Sequence, residues 1–247
     1  MPVIRHPEEL PEQREPGWSR QVWAGAAAFG TPVPMEAARY RLAAGASADV
    51  PLGRQEALAF VIGGSGSARQ GTEEFPLAAE SLLWLAGCDG VTLTAGDGGL
   101  DVLAAESTGG EPVAAVCKAF AVAGLPHLTS TRDTRDRLDL VTESVPVSAS
   151  RIRADRILYH PGDTAAAHYH TDCHHVFCVL AGSGLLYSGS QALRLEAGMS
   201  ALVGPGEDHW FENDRQQEFS FVEFWAPPPA DTVWTVAGDR CTWAPAG

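Results

Sequence analysis

The sequence predicts an all-β fold made of two copies of one unit, and three observations carry the prediction. Short runs rich in β-branched and aromatic residues recur every eight to twelve residues between clusters of Gly, Pro and Asp. A segment beginning at Gly45 can be laid on one beginning at Gly162, and the offset between the copies is about 118 residues. The chain of 247 residues, 45% apolar and 19% charged, is long enough to bury one large core or two smaller ones.

The elements follow in order. Residues 1–20 form a proline-rich arm, either a segment exchanged between subunits or a loose tail. The first unit, 21–110, contains the runs "LAFVI", "SLLWLA", "VTLTA" and "LDVLAAE". Two alanine-rich runs bounded by Pro and Gly, "PMEAARYRLAA" and "PVAAVCKAFAVAG", fit a short helix or a strand. A connecting segment, 111–150, leads to the second unit, 151–247, with the runs "VFCVLA" and "FSFVEFWA". The copies align with six residues from Glu56 to Gly63 and six from His175 to Gly182, and again through "FPLAAESLLWLAGCDGVTL" and "LRLEAGMSALVGPGEDHWF".

Charge narrows the partners. With 31 acids against 17 bases the formal charge is -14, which repels a phosphate backbone or an anionic membrane surface. The first residues place charges and prolines where a signal peptide needs an apolar run, and no stretch reaches the ~18 apolar residues of a membrane span. A cytoplasmic protein that binds neither nucleic acid nor membrane is expected. The five cysteines include no CxxC pair and are expected as reduced thiols, Cys173 alone drawing interest because it lies among histidines.

Five of the eight histidines fall between residues 160 and 184, in "HPGDTAAAHYHTDCHHVFCVLAGSG". Side chains alternate faces along a strand, so His168 and His170 point the same way with Tyr169 opposite. His175 begins the next strand after a short loop and His209 comes from a later pair, which allows four imidazoles to converge on one ion. His174 competes with His175, but six residues to Gly182 favour His175. His6, His127 and His160 are read as exposed or locally hydrogen-bonded.

The segment from Gly162 through His168, His170 and His175 to Gly182 resembles the first motif of the cupin superfamily, G-x5-H-x-H-x(3,4)-E-x6-G. The segment from Gly198 through Gly204, Pro205, Gly206 and His209 to Asn213 resembles the second, G-x5-P-x-G-x2-H-x3-N. His175 departs from the pattern, standing where the family has a glutamate, and Gly204 stands where it has a proline. The resemblance implies two tandem double-stranded β-helix, or jelly-roll, barrels of the all-β class. It implies one divalent metal ion in the C-terminal barrel, held by His168, His170, His175 and His209. In the first copy Pro51 and Gly53 align with His168 and His170, Val91 aligns with His209, and only Glu56 keeps a ligand position, so that barrel is expected to lack metal.

Alternation from the ligands places Phe177 on the face of His175, Phe211 on that of His209, and Phe221, Glu223 and Trp225 together on one face. These aromatics either line a substrate pocket or fill the core. Glu223 is either a buried acid suited to general-base work or, in the opposite register, a solvated one. Tyr187, Arg153 and Arg156 are weaker candidates, the arginines either binding a substrate carboxylate at the barrel mouth or lying on a polar sheet face.

The resemblance implies a metal-dependent enzyme acting on a small organic molecule, with an Fe(II)-dependent dioxygenase put first. The alternatives are a redox-neutral cyclase, isomerase or hydrolase using Zn(II), Mn(II) or Ni(II), and a ligand-binding cupin without turnover. Imidazole donors suit several of these metals and do not select among them. A homodimer is a further expectation from the resemblance.

Overall fold

The computed structural model describes residues 1–109, 114–121, 127–130, 136–141, 151–229, 231–236 and 243–245. Most of the expected connecting segment, Cys241 and the side chain of His127 lie outside the described residues. The chain divides into two compact units, one of Leu10–Gly124 and one of Met1–Glu9 with Leu125–Gly247. Both are almost wholly β, as the recurrence of short apolar runs requires.

The first unit is a sheet of nine strands. Its spine is two long strands, Ala57–Gln70 and Val91–Ser107, paired along most of their length. Their register shifts between Val61 and Gly63 and between Gly64 and Gly66, where the glycines let the strand bend. Both alanine-rich runs are resolved as strands. "PMEAARYRLAA" gives Met35–Leu42, and in its second half Ala38, Tyr40 and Leu42 are buried while Arg39 between them bonds Asp101 at 2.5 and 2.8 Å. That is a period of two, which a helix cannot present. "PVAAVCKAFAVAG" contains Val116–Ala121, paired on Ser81–Ala86.

The second unit is built on a sheet running Val3–Arg5, Ser200–Val203, His174–Ala181, Phe219–Ala226, Arg153–Tyr159, Asp136–Val141, His127–Ser130 and Trp243–Pro245. A three-stranded sheet, Gln191–Glu196, Ser183–Ser188 and Trp210–Glu212, and a two-stranded ribbon of His168–His170 with Thr232–Trp234 complete it. The expected arm is thus two strands paired within the chain, Val3–Arg5 on Ser200–Val203 and Glu12–Glu15 on Trp18–Ala24. The core of this unit is aromatic: Tyr159, Phe177, Phe211, Phe219 and Phe221 are all buried in one cluster.

The internal repeat is legible in the geometry of its glycines. Gly64 and Gly182, 118 residues apart, have φ of +77° and +73°. A Cβ at Gly64 would meet the Gly99 carbonyl oxygen at 2.2 Å, and one at Gly182 the Glu218 carbonyl oxygen at 1.9 Å. The sequence alignment had set Gly63 against Gly182; the backbone makes Gly64 the counterpart, because only there does the turn need a left-handed residue. Gly182→Ala combines left-handed strain with a backbone clash and is expected to lose about 3 kcal/mol or more, read from chemical denaturation against Gly189→Ala, whose Cβ meets nothing within 4 Å.

Candidate metal centre

Three histidines meet inside the second unit. His168 and His170 stand two apart on His168–His170, whose backbone is pinned on one side by Thr232–Trp234. His168 also pairs with His209 through backbone bonds of 2.9 and 3.1 Å, which fixes the two elements that carry the ligands against each other. One nitrogen from each of His168, His170 and His209 lies within 4.8 Å of the others, and all three residues are buried.

Their outer ring nitrogens are held by backbone carbonyls. His168 Nδ1 lies 2.8 Å from the Ala166 oxygen, His209 Nδ1 2.9 Å from that of Glu207, and His170 Nδ1 3.2 Å from that of Asp231. A carbonyl only accepts, so each Nδ1 carries the proton and each Nε2 keeps its lone pair. Three inward lone pairs, neutral and oriented by outer partners, suit a divalent ion. The donor set therefore fits the metal that the sequence implies.

His175 stands at the edge of this triad. It is 3% exposed, its Nδ1 is 3.2 Å from His209 Nε2, and its Nε2 is 3.1 Å from Glu223 Oε2. Its ring is stacked on Trp225 at 4.5 Å and touches Phe177 at 4.0 Å. His174 starts the same strand on the opposite face, half-buried, with burial lowering its pKa. Cys173 is buried, and burial pushes its thiol up to about 12.

Phe177, Phe211 and Phe221 pack at 4.7, 4.9 and 5.5 Å from one another and form an apolar floor beneath the histidines. They are fully buried core rather than open wall. Glu223 is 2% exposed, on the inward face. Arg153 is half-buried at the start of its strand, directly opposite Trp225, and shares its face with Ile157, which is in the core; Arg156 is on the other face. Tyr187 lies on the three-stranded sheet, bonded to Glu212 and stacked on Trp210, apart from the histidines.

Sequence reasoning missed the backing of the site. Asp231 and Thr232 hold His170, and Trp234 lies 5.1 Å from His168. The only signal was the alternation of "DTVW". Asp155, fully buried and directly opposite Glu223 across the sheet, was also unflagged, although it shares the alternation of Ile157 and Tyr159.

The first unit shows what replaces a ligand. A Cβ at Gly53, aligned with His170, would lie 2.4 Å from Cys88 Sγ and 2.8 Å from Leu85 Cβ, so core packing occupies that space. Glu56 is buried and accepts a hydrogen bond from Trp84 Nε1 at 3.3 Å. Among the described residues, the triad of the second unit is the one cluster arranged to hold an ion.

The fold and the triad together define a barrel protein of metal-binding type. Residues 156–225, within the second unit, match the family model described as Cupin domain. Among solved structures, the chain is similar to Lactobacillus farciminis oxalate decarboxylase in a formate complex, with a TM-score of 0.78 and 13% identity, over 94% of this chain and 88% of that one. It is similar to a deletion mutant of Bacillus subtilis oxalate decarboxylase, with a TM-score of 0.75 and 12% identity, over 94% and 79% of the two chains. A further structure of the Bacillus subtilis enzyme, whose description names its Mn(II) centres, gives 0.75 and 11% over the same shares. At such identities the likeness shows the two-barrel cupin fold. No curated protein matches the chain. Among the described residues no helix is long and apolar enough to cross a membrane.

Proposed function

We propose that the chain is a divalent-metal-dependent enzyme acting on a small organic molecule that offers oxygen donors, with the ion serving as a Lewis acid in redox-neutral chemistry. The observation that carries this is the convergence of His168, His170 and His209 with each Nδ1 tied to a carbonyl. His175 is the fourth ligand in this reading. An ion held by neutral imidazoles keeps its full charge and supplies a site that polarises a bound oxygen. The residues do the rest: Trp225 and Phe177 fix the imidazole plane, the phenylalanine floor excludes water from below, and Arg153 offers a cation to a substrate carboxylate.

Mn(II) is the first metal to test, on the strength of the Mn(II) centres named for one structural neighbour. The Fe(II) dioxygenase that the sequence put first rests on the resemblance alone. Protein purified without chelator, analysed for metal and then incubated with small carboxylates and enediols in sealed aerobic and anaerobic vessels, separates the two. Turnover with Mn(II) or Zn(II) and no oxygen uptake is the expected result. Turnover that needs Fe(II) and consumes oxygen replaces this reading with the oxygenase, and saturable ligand binding without product under every metal replaces it with a non-catalytic role.

A further inference from the structure

We infer that residues 231–235 are a strap that completes the metal centre, with Thr232 and Trp234 as positioning residues for His170 and His168, so that the ion is held only as firmly as the strap is docked. This rests on the metal-binding reading above and deepens it.

The three ligands of the triad are not oriented in the same way. The carbonyls that fix His168 and His209 belong to Ala166 and Glu207, each two residues away on the ligand's own segment, so these rings are set wherever those segments fold. His170 is oriented from 61 and 62 residues away: its Nδ1 lies 3.2 Å from the Asp231 carbonyl oxygen and 3.3 Å from Thr232 Oγ1. A carbonyl only accepts, so this contact puts the proton on Nδ1 and leaves the Nε2 lone pair for the ion. With the strap away, the neutral ring can carry its proton on either nitrogen, and one of those tautomers has no lone pair at Nε2.

The strap also grips the segments of the other two ligands. Thr232–Trp234 pairs along His168–His170, with Trp234 opposite His168 and Thr232 opposite His170. The Trp234 ring lies 5.1 Å from that of His168, and Thr235 N donates to the Ala167 carbonyl at 3.1 Å. Thr235 Oγ1 donates to Asp208 Oδ1 at 2.9 Å, one residue before His209. One short segment thus holds both elements that carry the triad.

Coupling of this kind is reciprocal. If docking of the strap raises affinity for the ion by some factor, the ion raises the docking equilibrium by the same factor. Losing an outer partner of a ligating histidine costs about 10- to 100-fold in affinity, and a saturating ion therefore makes opening of the strap rarer by about that factor.

The test is hydrogen–deuterium exchange of the full chain, read on peptides by mass spectrometry with Zn(II) and with chelator, alongside zinc affinity by chelator competition. Zinc is expected to slow exchange in 231–236 about 10- to 100-fold and to leave Ser81–Ala86, in the first unit, as it was. Thr232→Val keeps the side-chain shape without the hydroxyl, and it is expected to bind zinc about tenfold more weakly while its metal-free form melts within about 2 °C of wild type. Thr232→Ser is expected to recover most of that affinity, and Trp234→Ala to weaken zinc as well. Zinc that binds the wild-type protein and leaves exchange in 231–236 unchanged overturns the strap. Unchanged affinity in either Thr232→Val or Trp234→Ala removes the positioning role of that residue. Wild-type protein that binds no zinc overturns the metal reading, and the strap with it.

Discussion

His170→Ala is expected to abolish stoichiometric metal binding while leaving the barrel folded. The substitution removes one of three converging nitrogens, and the backbone that carries it stays anchored: its strand pairs with Thr232–Trp234, and the His170 carbonyl accepts from Gly206 N at 2.7 Å. An ion at about 1,000 times its dissociation constant stabilises the folded state by about 4 kcal/mol. For a chain of this size that corresponds to a rise in Tm of about 8–16 °C. In the wild-type protein the rise should appear on adding Mn(II) or Zn(II) and vanish with a chelator; in His170→Ala it should be absent at the same metal concentration. Melting curves with and without metal, with metal analysis after gel filtration, check both halves. An alanine variant that still elutes with one equivalent of metal would remove His170 from the site.

The part of this site that was legible in the sequence is the part set by local geometry. His168 and His170 share a face because strand side chains alternate, and that holds whatever the rest of the chain does. The parity of Phe221, Glu223 and Trp225 was legible for the same reason, since Phe219–Ala226 is one unbroken strand. What alternation left open was which parity faces inward, and pairing settled it: Phe177 lies opposite Glu223 and His175 opposite Trp225. The orientation of the His175 ring was out of reach. It is set by His209 and Glu223, which lie 34 and 48 residues away in the chain. Backing by Asp231 and Thr232 is likewise a contact over 61 and 62 residues, carried by a three-residue strand too short to stand out.

The aromatic floor ties stability to the site, and two phenylalanines separate the effects. Phe177 and Phe221 are both fully buried, both in the same cluster and 5.5 Å apart. Replacing either by alanine leaves a ring-sized cavity in a close-packed core, and each is expected to cost about 3–5 kcal/mol. At about 2–4 °C per kcal/mol that lowers the apo-protein Tm by about 6–20 °C in both. Their effects on the metal should differ. Phe177 packs on His175 at 4.0 Å and reaches His209 at 6.0 Å, whereas the ring contacts of Phe221 are with Tyr159, Phe177, Phe211 and Phe219. Phe177→Ala therefore removes one of the two rings packed on the His175 imidazole, Trp225 being the other, and it is expected to weaken metal affinity about tenfold, at the lower end of what losing an orienting partner costs. Phe221→Ala should melt as early and bind as tightly. If Phe177→Ala fails to fold, Phe177→Leu, which keeps most of the volume, carries the same comparison with a smaller loss. Equal weakening in both variants would mean that the floor acts on the ion through general loosening of the barrel, and that the packing against His175 has no separate role.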